Sequence, residues 1–406
     1  MTATLTSNPT RSIAELLKAP QVQAAFQFFE QNAEGITSEQ IAICSIPAPP
    51  FQERERAEYL CSKFQELGFD VSLDKEGNCL GLRRGRSLDP LLVVSAHLDT
   101  VFPAGTDVTV RNAKGILFAP GIADDGCGLA ALTALGRAMA EANIETEGSV
   151  LFVGTVGEEG EGNLRGVRYL FSEGEWANRV NSFLSFDGPG TDRLINRALG
   201  SKRYRVSMRG PGGHSWGDFG LANPVHALGR AISRLVSYPV PHEPRTTFNV
   251  GRIQGGTSIN AIPREAVMDV DLRSTSDHEL RRLDAFFRRA MREAADDENA
   301  ARRQGHPSLN LSVDLIGERP TGETPSDSSI VQIAFEATRA LGVTPRLDQA
   351  STDANIPMSL RIPALTLGAG GMSGSSHTID EWYDPRDRAK GLKRGLLVAL
   401  GLVGLR

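Results

Sequence analysis

The chain has 406 residues, 40% hydrophobic and 23% charged, with 44 Lys+Arg against 49 Asp+Glu and a net charge of −5. This is globular composition with ample core, enough for two to four domains of roughly 100–200 residues. It excludes a disordered or fibrous chain and carries no general nucleic-acid footprint.

The four cysteines, Cys44, Cys61, Cys79 and Cys127, form no CxxC pair and are too few for a disulfide scaffold. A reducing, cytoplasmic setting is therefore expected. The N-terminal MTATLTSNPTRSIAELLK lacks an apolar core of signal-peptide length. No window reaches ~18 uninterrupted apolar residues, so no membrane association is expected.

Helical periodicity covers 12–32 and 53–68, followed by short strands at 70–73 and 79–83. LLVVSAH (91–97), SVLFVGTV (149–156) and NSFLSFD (181–187) are continuous apolar runs, the pattern of strands buried on both faces. The Ala- and Leu-rich stretch 129–142 between the first two predicts a helix. Strand, helix, strand in this order means α/β, with a parallel or mixed sheet flanked by helices.

From about 200 the texture changes. RYRVSMRG (203–210), TTFNVGRIQ (246–254) and AVMDVDLRS (266–274) alternate polar and apolar residues, as strands with one solvated face do. Helices are predicted at 222–236 and 277–296. After 315 the α/β pattern resumes, with a helix at 328–341, a strand at 364–368 and an apolar terminal helix at 386–403. The expected organisation is a main domain in two parts, 1–199 and 315–406, interrupted by an α+β insert at 200–314.

The chemistry concentrates at element ends. His97 and Asp99 close the first buried strand, where open α/β sheets hold their ligands. A His there is placed to bind a metal, and Asp99 to accept the hydrogen bond of the other imidazole nitrogen. Asp124 and Asp125 stand just before the Ala-rich helix, where an N-cap is the simpler role. Glu158 and Glu159 end the second strand between glycines, Asp187 ends the third, and His377 comes late. A lone HxD or a lone pair of acids signifies little. Three strand ends and a helix start that each supply a His or a carboxylate suit zinc, or cobalt or manganese. One Asp can bridge two ions, and a carboxylate outside the ligand set can take a proton from water. Successive residues of an extended strand point to opposite sides, so only one of Glu158 and Glu159 is expected to face the metal squarely.

In order and spacing, SAHLDTVFP (95–103), GIADDGCG (121–128), GEEGEGN (157–163), SFDGPG (185–190) and SSHTIDEWYD (375–384) resemble the zinc-dependent exopeptidases and deacylases. That family includes peptidase T, bacterial glutamate carboxypeptidase, aminoacylase and succinyl-diaminopimelate desuccinylase. In the insert, GPGGHSWG (210–217), GGTSINAIPREA (255–266) and DLRS (271–274) extend the resemblance.

The resemblance implies two zinc ions, one on His97 and Asp187, the other on Glu159 and His377, with Asp124 bridging and the Asp124–Asp125 peptide cis. It implies Glu158 as the general base and Asp99 as the residue orienting His97. It further implies that His214 polarises the scissile carbonyl, that Asn260 and Arg273 hold the substrate's polar or carboxylate end, and that the insert acts as a lid and homodimer surface. Asp187, in place of Glu, points by the same resemblance to an aminopeptidase or di/tripeptidase rather than a carboxypeptidase or N-acyl amino acid deacylase. One departure is Gly126-Cys127 where family members often carry Lys.

Two other classes are open to test. Gly213-His214-Ser215-Trp216-Gly217 fits the G-x-S-x-G elbow of serine hydrolases, with Asp353 and His377 in triad order. An elbow must leave a buried strand and enter a helix directly, whereas Pro211-Gly212-Gly213 and Asp218-Phe219-Gly220 flank this one as loop. A non-catalytic binding protein on the same scaffold is expected to lack a ligand or the base, and none is missing.

Overall fold

The computed structural model describes residues 11–406. The chain divides into two compact units, residues to Ala198 with Gly322–Arg406, and Leu199–Thr321.

In the larger unit the described residues build a nine-stranded mixed sheet. Leu91–His97 lies at its centre, parallel to Ser149–Thr155 on one side and Ser182–Phe186 on the other. Ala364–Leu367 continues the parallel set, while Cys79–Arg83 and Arg193–Ala198 add antiparallel neighbours. All residues of the four parallel strands are buried, as their unbroken apolarity requires. One face packs on helices Pro20–Gln31, Gly126–Glu141 and Arg388–Val403, through residues such as Phe29, Leu132 and Leu396. The other packs on Arg165–Ser172 through Val167 and Leu170. Parallel alignment brings the carboxyl ends of three adjacent strands to one edge, so that their following residues meet.

The second unit is a four-stranded antiparallel sheet in the order Thr246–Gly255, Glu265–Ser274, Gly200–Arg209, Asn310–Arg319. Glu265–Ser274 alternates buried and more exposed residues along its length. Its buried side chains, Met268, Val270 and Leu272, pack with Leu228, Leu283, Phe287 and Met291 from helices Pro224–Leu235 and Asp277–Ala301.

Several elements differ from the sequence expectations. The helix over 12–32 is broken: Ile13–Leu16 ends, and Pro20 starts Pro20–Gln31 at its first turn, where a missing N–H costs nothing. A further helix, Ala33–Cys44, follows directly. Its sequence, AEGITSEQIAIC, has too little amphipathic periodicity to announce it. Strand Asn310–Arg319 also went unpredicted, since it is a half-exposed edge with an irregularity between Leu315 and Gly317. Cys61 and Cys79 meet as a disulfide, with Cα atoms 5.7 Å apart, a pairing not expected from four cysteines read as too few for a disulfide scaffold. The pairing joins helix Arg54–Glu66 to strand Cys79–Arg83, a contact that spacing alone did not reveal. Cys44 and Cys127 are free and buried. Among the described residues no helix is long and apolar enough to cross a membrane.

Candidate active site

His97 is the last residue of the central strand and is almost wholly buried. Its Nδ1 lies 3.0 Å from the main-chain carbonyl oxygen of Asp99. A carbonyl only accepts, so Nδ1 carries the hydrogen. Nε2 then faces Asp124 Oδ1 at 3.0 Å, and a bare lone pair against a carboxylate oxygen is repulsive. A proton or a metal cation must stand there. Burial opposes charge on His97, but Asp124, Asp125 and Asp99 outweigh it and hold its pKa well above the ordinary value.

Asp124 is shared. Its other oxygen, Oδ2, lies 3.2 Å from His377 Nε2, which is also 3.0 Å from Glu159 Oε1. Hydrogen bonds to Asp124 and Glu159 push the His377 pKa up to about 10. Burial works against charge on Asp124, yet hydrogen bonds from His377 and His97 hold its carboxyl below the usual range. Asp187, at the end of the third strand, is pushed well above that range by burial and by the nearby charge of Asp124.

These donors form overlapping groups. One atom each of His97, Asp124 and Asp187 lie within 4.8 Å of one another, and so do those of Asp124, Glu159 and His377. His97, Glu158 and Glu159 make a third such group. Two imidazoles among four carboxylates leave an excess of buried negative charge that divalent cations would neutralise. The donor set therefore fits a pair of ions sharing Asp124.

The backbone around the cluster is held by buried acids. Asp125 caps helix Gly126–Glu141 through Gly128 N, and also accepts from His97 N and Gly188 N. It ties the first strand end, the helix start and the loop after Asp187 together, leaving Asp124 to face the two histidines across a cis peptide. The Asp99 carboxylate accepts the N–H groups of Glu158 and Glu159 at 2.9 and 2.8 Å. Its nearer oxygen is 3.7 Å from His97 Nδ1. So the contact expected between that carboxylate and the imidazole is made instead by the Asp99 carbonyl. Gly157, at φ 67, ends the extended run before the two glutamates. Strand alternation stops there, which is why Glu158 and Glu159 both reach the cluster.

In the second unit His214 and Asn260 are exposed and adjacent: His214 pairs with Ala261, and Ser215 N donates to the Asn260 carbonyl. His214 Nδ1 accepts from Trp216 N and Gly217 N, so its Nε2 bears the hydrogen. Arg273 stands eight residues up strand Glu265–Ser274 from its start, roughly 26 Å away, and is paired with Asp271 at 2.6 Å. The structure thus joins His214 with Asn260 but not with Arg273. Ser215 follows a two-residue strand and leads into turns, the next helix beginning at Pro224. Asp353 is hydrogen-bonded to Thr155, and His377 to Asp124. The elbow is not formed, and Asp353 and His377 are engaged with other residues of the larger unit.

Residues 93–400 match the family model described as peptidase family M20/M25/M40. The chain belongs to this family. It is 26% identical over 356 residues to the uncharacterized protein YqjE of Bacillus subtilis, covering 84% of this chain and 91% of that one. It is 24% identical over 355 residues to succinyl-diaminopimelate desuccinylase of Hydrogenovibrio crunogenus, covering 82% and 89%. The crystal structure of aminopeptidase PepT from Bacillus cereus superposes with a TM-score of 0.74 at 22% identity, over 91% of this chain and 99% of that one.

One residue of this M20 site escaped the sequence analysis. Glu381, fully buried, accepts hydrogen bonds from the N–H groups of Gly121, Ala123 and Asp124 at 3.2, 2.8 and 3.0 Å. It grips the loop that presents Asp124. Its position within SSHTIDEWYD, four residues after His377, was the available signal.

Proposed function

We propose that this chain is a two-metal exopeptidase that hydrolyses the terminal amide bond of small peptides, as an aminopeptidase or di/tripeptidase. The observation that carries the reading is Asp124, whose two oxygens face two different histidines within groups completed by Asp187 and Glu159. His97 and Asp187 would hold one ion, Glu159 and His377 the other, and Asp124 both. Zinc suits these nitrogen and oxygen donors, and cobalt or manganese can replace it. When bound, such a pair supplies Lewis acidity toward a carbonyl oxygen and an attacking water.

The chain's own residues do the rest. Glu158, buried beside His97, takes the proton of the attacking water on its carboxylate and delivers it to the leaving amine nitrogen. Asp99 fixes the peptide groups on both sides of that carboxylate. His214, with its hydrogen on Nε2, offers a donor to the scissile carbonyl oxygen, and Asn260 offers an amide beside it. Arg273, which is not joined with His214 and Asn260 within one chain, would take the substrate's polar end, exchanging Asp271 for it, where a second copy of the chain supplies those two groups. The insert serves as a lid and as a homodimer surface, for which Trp216, Phe219 and Ile259 are exposed apolar contacts. The setting proposed is the cytoplasm, where Cys61 and Cys79 would stand as a reduced pair.

The desuccinylase relative favours a second reading, a carboxypeptidase or N-acyl amino acid deacylase using the same centre. Stripping the protein with a strong chelator, reloading it with zinc or cobalt and screening short peptides against N-acyl amino acids decides between them. Hydrolysis is expected to vanish on stripping, return on reloading, ignore serine-directed inhibitors and favour peptides with a free amino terminus. Full activity in metal-free protein would end the two-metal reading. A strict requirement for a free carboxylate would transfer it to the second.

A further inference from the structure

The loop that carries Glu158 and Glu159 leaves strand Ser149–Thr155, turns at Gly157 and returns to helix Arg165–Ser172. It is closed by two main-chain hydrogen bonds, Leu164 N–H to Gly157 O at 2.8 Å and Gly166 N–H to Val156 O at 2.9 Å. Asn163 and Leu164 are both left-handed, at φ 55 and 59, an unfavourable conformation for residues with a Cβ. Such backbone persists where its surroundings enforce it.

Asn78, bound to Val156 N and Gly166 O, and Arg168, bound to Asn163 O, hold the loop from the protein side, and Arg165 holds its outer side. The stem of its side chain lies against Gly157, so closely that a Cβ there would stand 2.7 Å from Arg165 Cγ. Its guanidinium meets Glu53 Oε2 at 2.7 Å, and donates to the Glu76 carbonyl at 2.8 Å and the Glu76 carboxylate at 3.2 Å. Glu53 is 3% exposed, and its other oxygen accepts from Phe51 N at 3.1 Å. The Phe51 ring lies 5.4 Å from the guanidinium. Beyond these groups is a cleft of about 650 Å³ rather than packed core, so the loop's outer side rests on this ion pair.

We propose that the Glu53–Arg165 pair is a positioning device for Glu158, fixing its loop from outside as Asp99 fixes it from inside. Arg165 touches no reacting atom. It acts through Gly157, the residue before Glu158, and an ångström of displacement there moves the carboxylate from the proton it must take. The proposal rests on the reading of Glu158 as the base.

Arg165→Met alone would strand a buried Glu53 charge and endanger the fold. The test is therefore the full-length, zinc-loaded double variant Glu53→Gln/Arg165→Met, with Arg165→Lys beside it. Three quantities are read: amide hydrogen exchange at Leu164 and Gly166, zinc content, and kcat against KM per folded molecule. The double variant is expected to keep its zinc and to exchange those two amides about tenfold faster. It should lose kcat by about 10–10²-fold with KM changed less than about threefold. Arg165→Lys, which keeps a cation beside Glu53, should recover part of kcat. Unchanged exchange, or faster exchange with unchanged kcat, overturns the proposal. Failure of the base assignment itself is told apart by Glu158→Gln, which would then retain wild-type turnover.

Discussion

His97, Asp99, Glu158 and Glu159 are buried at the ends of strands, and their backbones are tied by Asp99, Asp125 and, through the neighbouring Asp124 loop, Glu381. In the insert, His214 and Asn260 ride on exposed turns, and Arg273 is held by Asp271 on its own strand. The first arrangement is preorganised, since its side chains are placed before any ligand arrives. The second has donors available but few contacts to fix them. Burial keeps the cluster's electrostatics strong, whereas the insert's groups gain strength only when something excludes water from them. The two regions should therefore fail differently when they are altered.

Glu158→Gln should show the largest effect. It would remove the proposed proton carrier but leave the hydrogen bonds to Asp99, so zinc should stay while kcat falls roughly 10²–10⁴-fold. Glu159→Gln should lose zinc affinity first, because Glu159 faces His377. Zinc content and steady-state kinetics on the same preparations separate the two. Near-normal turnover of zinc-loaded Glu158→Gln would refute its role.

His214→Ala should come next, with kcat down by about 10²-fold, the usual worth of one donor to a developing oxyanion. Its zinc content and melting temperature should stay near wild type, because the ring is exposed and its hydrogen bonds are to its own turn. A loss of zinc in this variant would erase the contrast between the regions.

Glu381→Gln sharpens the contrast from the buried side. The amide keeps an acceptor for Ala123 and Asp124, but turns a donor toward Gly121 N, itself a donor. Zinc affinity should fall about 10–100-fold, as is usual when a group supporting a metal ligand is lost. Competition with a chromophoric chelator measures it, and unchanged affinity would show that the Asp124 loop needs no such hold.

The contrast also explains what the sequence revealed. His97, Glu158, Glu159 and Asp187 were visible because each ends a continuous apolar run, so burial and chemistry meet at one boundary. Glu381 was not, because the Asp124 N–H it accepts belongs to a residue 257 positions away. Arg165 carried no signal in the sequence, because its partner Glu53 lies 112 positions earlier. Helix Ala33–Cys44 was hidden for a different reason, since it carries no clear period, whereas strand Asn310–Arg319 alternates from Asn310 to Leu315 and loses its period at the irregularity before Gly317. The exchange between the Asp99 carbonyl and carboxylate depends on backbone direction, which residue type does not encode. The family resemblance supplied the roles of His214, Asn260 and Arg273, for which the exposed turns gave no local signal.

The central claim is that Asp124 serves two ions at once, and zinc stoichiometry tests it most directly. Wild type, His377→Ala and Asp124→Ala are titrated with zinc after chelation, and bound metal is counted at equal free zinc. The account predicts about two ions in wild type, about one retained in His377→Ala, and weakening of both sites in Asp124→Ala. Two ions bound to Asp124→Ala with wild-type affinity, or the loss of the same single ion in both variants, would contradict it.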